Sequence, residues 1–325
     1  MTQHGDDTYR YGSIRLNFSS NVYNAFDHSS LFRHLSDRMG AIGSYPEPAA
    51  ESLERAIAAR LGVDAGCVMV TNGATEAIYL LAQTFGGGRA TIPQPSFSEY
   101  ANATALFSSD ASTPTMWLCN PNNPTGTVTP KADILRLLQA EPERLFILDH
   151  SYASFTASAI LTEAEAVTLP NAIVLRSMTK DYAIPGLRLG YITANAQLLD
   201  KVRRRRMPWS VNALAIIAGH YLLEHHADYV LPLHMLLQEA QRVREALTAT
   251  GLIEVGHSDT HILLCRLLKG TAPELKEHLA AHCGILIRDA SNFEGLDDRC
   301  FRIAVQGQAA DDELIKEIVK WFQTK

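Results

Sequence analysis

The chain has 325 residues, a formal net charge of −6, 46% apolar residues and 20% charged residues. That acidic balance argues against a general affinity for nucleic acid or anionic membrane surfaces, and the composition lies well outside the disordered range. The length suggests one large domain plus a smaller one, with a binding cleft between them.

No apolar run has the length of a membrane span, and the start, MTQHGDDTYRYG, lacks the charged-then-apolar order of a signal peptide. A cytoplasmic location is therefore expected. Cys67, Cys119, Cys265, Cys283 and Cys300 are scattered, odd in number and without metal-ligand spacing, which reads as mostly buried thiols. The histidines include no HExxH-like pair, so no metal is expected.

From about residue 50 to 195, short β-rich runs alternate with helical patterns, the signature of a mainly parallel sheet flanked by helices. In chain order, AESLERAIAARLG reads as a helix with Leu53, Ile57 and Leu61 on one face and a stop at Gly62. CVMVT (67–71) reads as a strand, ATEAIYLLAQTF as a helix starting after Asn72-Gly73, and RATIP (89–93), TMWLC (115–119), LFILD (145–149) and AIVLRS (172–177) as further strands. LRLGYIT (187–193) alternates like a strand with one wet face, and a long helical region interrupted at Pro208 runs to about Thr250. The basic run Arg203 to Arg206 reads as a solvated helix face rather than a polyanion site. From Gly251 the pattern becomes α+β: strand HILLCRLL, helix PELKEHLAAHC, strand GILIR, strand CFRIAVQ and helix DDELIKEIVKWF.

Several of the strands end on polar residues, and open α/β sheets bind ligands at the carboxyl ends of their strands. In SMTKDYAIPGLRLGY (177–191), Lys180 is a possible nucleophile flanked by Ser177 and Thr179, with Arg188 eight positions further on. The other strand ends carry what a phosphorylated pyridine aldehyde requires. Asp149 suits a protonated ring nitrogen, and Tyr152 and Asn123, the latter in the rigid turn NPNNPTGT, suit a phenolate oxygen. Phe97 suits the ring face. The helix start at Ala74-Thr75, the hydroxyls of Ser177 and Thr179 and the guanidinium of Arg188 suit a phosphate.

On these residues the chain resembles, nearly end to end, the fold type I pyridoxal-phosphate enzymes of the aminotransferase superfamily. The motifs are NGATEA, PSFSEY, NPNNPTG, Asp149-x-x-Tyr152 and S-x-T-K with the arginine that follows. The resemblance implies an α/β large domain with a smaller C-terminal α+β domain, and pyridoxal 5′-phosphate as cofactor. It makes Lys180 the Schiff-base lysine, Asp149 the ring-nitrogen partner, Asn123 and Tyr152 the partners of the phenolic oxygen, and Phe97 the stacking ring. Ala74, Thr75, Ser177, Thr179 and Arg188 become phosphate ligands. It also implies a homodimer with shared active sites, in which Tyr45 of GSYPEP reaches the phosphate of the neighbouring subunit. The organisation expected is an N-terminal arm over 1–44 packed near the small domain, a large cofactor-binding domain over 45–210, connecting helices over 211–250 and a small domain over 251–325.

Within the superfamily the chain is most similar to two sister groups, the L-threonine O-3-phosphate decarboxylases of cobalamin synthesis and the histidinol-phosphate aminotransferases. HGDD (4–7), NFSSN (17–21), TKDYAIPGLRLGY with MPWSVNALA, and GILIRDASNFEGL favour the decarboxylases. Either group handles a small phosphorylated amino compound. Arg302, an arginine inside an apolar strand and costly to bury unless it meets an anion, matches the arginine that grips the substrate carboxylate. Arg288 matches the position that meets the substrate phosphate, with His4 and Asn21 as helpers. His150, where many relatives have an acidic residue, reads as a packing or supporting residue with a catalytic role as the alternative. A non-catalytic binding protein of the same fold would lack the lysine, the aspartate or the phosphate arginine, and all three are present.

Overall fold

In this computed structural model the structure describes residues 5–108 and 113–323. The chain opens with β1 (Leu16–Asn17), α1 (Ser29–Ser36) and α2 (Glu51–Leu61). Strands and helices then alternate: β2 (Val68–Thr71), α3 (Gly73–Phe85), β3 (Ala90–Thr91), α4 (Ser98–Leu106), β4 (Thr115–Cys119), α5 (Lys131–Ala140) and β5 (Leu145–Asp149). After these come α6 (Glu163–Ala166), β6 (Ala172–Ser177), α7 (Met178–Asp181), β7 (Gly190–Ala194) and α8 (Ala196–Arg203). Two helices, α9 (Ala213–Glu224) and α10 (Leu233–Ala249), lead to β8 (Ile253–Val255), β9 (Ile262–Leu267), α11 (Ala272–His278), β10 (Ile285–Leu286), β11 (Arg288–Asp289), β12 (Cys300–Ala304) and α12 (Gln308–Gln323).

The main sheet has six strands in the order β2-β7-β6-β5-β4-β3. β3 to β6 pair in parallel, and β7 is antiparallel to both of its neighbours. The apolar runs VMVT and LFILD are buried along their whole length because helices cover both faces of the sheet. A second sheet, β11-β12-β9-β8, is antiparallel throughout, and β1 pairs in parallel with β10. The N-terminal segment is stitched to this C-terminal half: Phe18 N–H donates to Leu286 O at 2.8 Å and Ala304 N–H to Phe18 O at 3.0 Å. A buried ion pair, Lys276 to Asp7 at 2.7 Å, holds its first turn. Among the described residues no helix is long and apolar enough to cross a membrane.

Several elements differ from the sequence reading. LRLGYIT is not one alternating strand: Pro185–Leu187 form a 3-10 turn, Arg188 is left-handed at φ 58°, and β7 starts at Gly190 with every residue buried. The wet face disappears because β7 is inserted between β2 and β6. GILIR is two strands that serve different partners, β1 and β12, with Ile287 between them. The long helical region breaks over 204–212, which contains Pro208, and again before Pro232. RATIP contributes only two paired residues.

The basic run also departs from the expectation. Arg204 and Arg205 are exposed, but Arg203 and Arg206 turn inward onto the buried carboxylate of Glu54, at 3.2 and 2.6 Å. Glu54 Oε1 also accepts from Val70 N–H at 3.0 Å. One carboxylate thus ties α2, β2 and the end of α8 together. Removing it takes the carboxylate from the Arg206 guanidinium and the Val70 amide and leaves Arg203 only its backbone carbonyl acceptors, so Glu54→Ala is expected to lose about 3 kcal/mol of stability and Glu54→Gln less. Urea unfolding measures this, and a loss below about 1 kcal/mol would mean the clamp is effectively solvated.

Candidate active site

The main-sheet register brings several chain segments to one edge. Cys119 pairs with Asp149 and Asp149 with Leu175, so β4, β5 and β6 finish side by side. Thr71 pairs with Gly190 and Gly190 with Ser177, which sets the start of α3, the turn α7 and Arg188 around the same point. A cavity of about 530 Å³ opens there.

Lys180 lies in the short turn α7, directly after β6. Its Nζ donates to Asn21 Oδ1 at 2.6 Å and sits 5.9 Å from the centre of the Tyr152 ring. Asn21 Nδ2 donates to the Tyr152 hydroxyl. Burial, and then Arg302 and Arg188, bring the Lys180 ammonium down to about 7, against the pull of Asp6 and Asp149. Near neutrality this amine exists in both protonation states.

Asp149 is buried at the end of β5. It accepts from the Tyr100 hydroxyl at 2.7 Å and from Ser151 N–H at 2.9 Å. Burial and Asp149 push the Tyr100 hydroxyl well up, so Tyr100 remains a donor. Phe97 lines the cavity and meets the edge of the Tyr100 ring at 5.7 Å.

The 120–127 turn closes on itself through Asn122 N–H to Thr127 O and Gly126 N–H to Asn122 O, each at 2.8 Å. It needs glycine at 126, where φ is 73° and a Cβ would fall 2.6 Å from Ile262 O. Locked this way, Asn123 presents Oδ1 to Arg302 Nη1 at 2.6 Å. Arg302 Nη2 donates to Ser19 O.

At the opposite wall stand Ala74 and Thr75 in the first turn of α3, together with Ser177, Thr179 and Arg188. Thr179 Oγ1 is buried and has no hydrogen-bond partner among the described residues. Gly73, at φ 75°, lets the Arg188 guanidinium close in on the backbone: a Cβ there would lie 2.6 Å from Nη2. The wall is therefore a cradle of free amides, hydroxyls and a guanidinium, the donor set of an anion site.

A smaller cleft of about 40 Å³ adjoins the cavity and contains Arg288, Arg302 and Asn292. Arg288 and Arg302 are direct cross-strand partners on β11 and β12. Burial and Arg302 lower the Arg288 guanidinium to about 10. Like charges set opposite each other on a sheet are unfavourable without an anion between them. Arg288 itself donates to Asn292 Oδ1 at 2.8 Å and lies 5.4 Å from the centre of the Phe293 ring.

Twelve of the residues singled out in the sequence line the cavity: Asn21, Ala74, Thr75, Phe97, Asn123, Asp149, Tyr152, Ser177, Thr179, Lys180, Arg188 and Arg302. Arg288 lies in the adjoining cleft. Tyr45 does not reach the cavity of its own chain; it is 86% exposed and rests 5.3 Å from the Trp209 ring. His4 lies outside the described residues. His150 is buried with both ring nitrogens unpartnered, and burial, then Arg176, hold it neutral with a pKa of about 4. Sequence reasoning missed Tyr100 and Asp6. Tyr100 had a readable signal, one helical turn beyond Phe97. Asp6 had none beyond its place in HGDD. Among the described residues no group of three or more His, Cys, Asp or Glu is arranged to hold a metal ion.

The chain belongs to the aminotransferase class I and II family, whose profile matches residues 13–113 and 104–320. Its fold is that of the fold type I enzymes of this family, which depend on pyridoxal 5′-phosphate. The chain is similar to the threonine-phosphate decarboxylase of Salmonella typhimurium, with 33% identity over an alignment of 327 positions, gaps included, that covers 92% of this chain and 89% of that one. The crystal structure of the L-threonine-O-3-phosphate decarboxylase from Porphyromonas gingivalis superposes with a TM-score of 0.91 and 38% identity, covering 95% of this chain and 99% of that one. A histidinol-phosphate aminotransferase of Desulfitobacterium hafniense is 29% identical over 308 residues, 86% of this chain and 84% of that one.

The residues present fit the cofactor. The unpartnered Thr179 hydroxyl and the Arg188 guanidinium that Gly73 lets approach the start of α3 suit its phosphate, and the buried Asp149 carboxylate suits a protonated ring nitrogen. Gly73→Ala is expected to weaken cofactor binding about tenfold, roughly 1.4 kcal/mol, because a Cβ meets Arg188 and φ is left-handed; titration of the apoprotein followed by absorbance reads this. A second expectation concerns pH. In the unfolded chain lysine stays charged to about 10.5, whereas Lys180 in the folded apoprotein releases its proton near 7. The fold bears the cost of a buried charge below pH 7 and is relieved of it between pH 7 and 10.5. Lys180→Met apoprotein is therefore expected to exceed wild type in stability by about 2 kcal/mol at pH 6, allowing for partial exposure, with the gap closing toward pH 10. Urea midpoints that differ equally at both pH values would show an amine charged throughout.

Proposed function

We propose that the protein is a lyase that decarboxylates L-threonine O-3-phosphate to (R)-1-aminopropan-2-yl phosphate in cobalamin biosynthesis. The observation that carries this reading is the pairing of Arg288 and Arg302 on neighbouring strands, with Arg302 in the cavity of Lys180 and Arg288 in the adjoining cleft, two cation sites for one substrate bearing a phosphate and a carboxylate. The names and the identity of the decarboxylase relatives support it.

In this reading Lys180 is the residue that binds the cofactor aldehyde. Asp149 holds the ring nitrogen, Asn123 and Tyr152 the phenolic oxygen, and Phe97 one ring face. Ala74, Thr75, Ser177, Thr179 and Arg188 hold the phosphate, with Tyr45 of a second copy. Bound pyridoxal phosphate supplies an electron sink for the pair released when a bond at the substrate Cα breaks. Arg302 grips the carboxylate, Arg288 the substrate phosphate, and Asn21 and His4 assist. The direction in which Arg302 holds the carboxylate decides which Cα bond lies along the ring's π system. With its pKa near 7, Lys180 Nζ can hand a proton to Cα after CO₂ leaves. The same amine could instead take the Cα proton, and the similarity to histidinol-phosphate aminotransferases favours amino-group transfer to 2-oxoglutarate as the second reading.

The domain division at residues 44, 210 and 250 and a cytoplasmic location belong to the same proposal. So does a homodimer. Phe32, Ile42, Tyr45 and Met207 are 65, 68, 86 and 72% exposed, an apolar set suited to a second copy.

Purified holoenzyme given threonine phosphate is expected to release CO₂, whereas turnover of histidinol phosphate with 2-oxoglutarate would move the assignment to aminotransfer. Arg302→Ala is expected to lose about a hundredfold in kcat/KM with the cofactor still bound, because the carboxylate loses its buried charge-assisted partner. Unchanged substrate kinetics would place the carboxylate elsewhere.

A further inference from the structure

Behind the cavity wall lies a cluster of charges that the proposed reaction does not use. Arg176, the last residue but one of β6, donates from Nη1 to Glu163 Oε1 and from Nη2 to Asp181 Oδ2, both at 2.9 Å. Its Nη2 also reaches Ser154 Oγ at 3.3 Å, and Ser154 donates to Asp181 Oδ1 at 2.6 Å. Tyr191 donates to Glu163 at 3.4 Å. The Arg176 and Asp181 side chains are only 15% and 13% exposed. His150 adjoins the cluster and is neutral, so it neither adds nor cancels charge.

Stability alone is a poor reason for such a cluster, since apolar residues of similar volume often serve a fold as well or better. Its placement is more informative. Asp181 is the neighbour of Lys180 in a helix of only four residues that has no side-chain cap. A single turn of helix cannot hold its own geometry. Ser154 lies in the turn Ala153–Phe155, which follows Tyr152 directly. The cluster therefore joins the turn that carries the lysine to the turn that carries the tyrosine, and both are anchored to Arg176 on a central strand.

We infer that Arg176 and Asp181 are a positioning pair for Lys180, fixing with Ser154 the distance between the lysine turn and the Tyr152 turn. The pair touches neither substrate nor cofactor. The inference rests on the reading of Lys180 given under the proposed function.

The test uses holoenzyme and reads the visible circular dichroism of the bound cofactor, which depends on how rigidly it is oriented, alongside kcat and KM. Asp181→Asn and Arg176→Lys are each expected to reduce the dichroism per bound cofactor to about half or less and to lower kcat about 10- to 100-fold, with KM within about threefold. Glu163→Gln cuts the same cluster on the side away from Lys180. It is expected to lower the thermal midpoint while leaving the dichroism near wild type, and an equal loss of dichroism there would overturn the pair by making the effect one of general stability. Ser154→Ala, which leaves every charge in place, covers the case in which Asp181→Asn does not fold; a smaller loss in the same direction is expected. Wild-type dichroism and kcat in both Ser154→Ala and Arg176→Lys would overturn the inference. Lys180→Ala, run in parallel, is expected to abolish the visible band, and a band unchanged there overturns the reading of Lys180 and the positioning pair with it.

Discussion

The insertion of β7 between β2 and β6 is the constraint from which the site follows. Because β7 runs antiparallel to both neighbours, its first residue, Gly190, sits between Thr71 at the end of β2 and Ser177 at the end of β6. The start of α3, the lysine turn and the arginine before β7 must then crowd one point. Backbone packing there is tight: a Cβ on Gly190 would stand 2.8 Å from both Ala74 N and Arg176 O. An anion cradle arises from the way two strand ends and one strand start meet, with the helix dipole and free amides of α3 aimed inward.

Electrostatics explains why such a site can be kept in a fold. Lys180, Arg188 and Arg302 share the main cavity with three carboxylates, Asp6, Glu99 and Asp149. Glu99 accepts from Tyr79 at 2.8 Å, and Asp149 is held by Tyr100 and Ser151. Burial lowers the pKa of the lysine, of Arg302 and of Arg288 in the next cleft, so each holds its charge here less readily than in water. Preorganised positive charge of this kind is costly in the empty protein and favourable once anionic groups bind, the arrangement expected where binding energy is directed at orientation.

Two carboxylates elsewhere, Glu54 buried and Asp181 half-buried, illustrate different uses of the same physics. Glu54 gathers two arginines and an amide to tie helices to the outer strand and does not line the cavity. Asp181 pairs with one arginine and one serine immediately beside Lys180. Both carboxylates are largely withdrawn from water, but only the second stands next to a residue that lines the site.

Local pattern alone settled much. TMWLC, LFILD and AIVLRS are strands over the residues their β-rich runs mark out, and Gly62 ends α2 in the left-handed conformation, because strand propensity and helix termination are written in neighbouring residues. The polar residues closing those strands were visible too, along with Lys180 and Arg302. Tertiary structure decided which segments face each other. The inward turn of Arg203 and Arg206 onto Glu54, the split of GILIR between two sheets, the grip of Tyr100 on Asp149 and the link from Arg176 to Asp181 all depend on register and on partners distant in sequence or set by a turn. Periodicity along a chain records which face is apolar; it carries no information about which charged side chain another segment will bring to meet it.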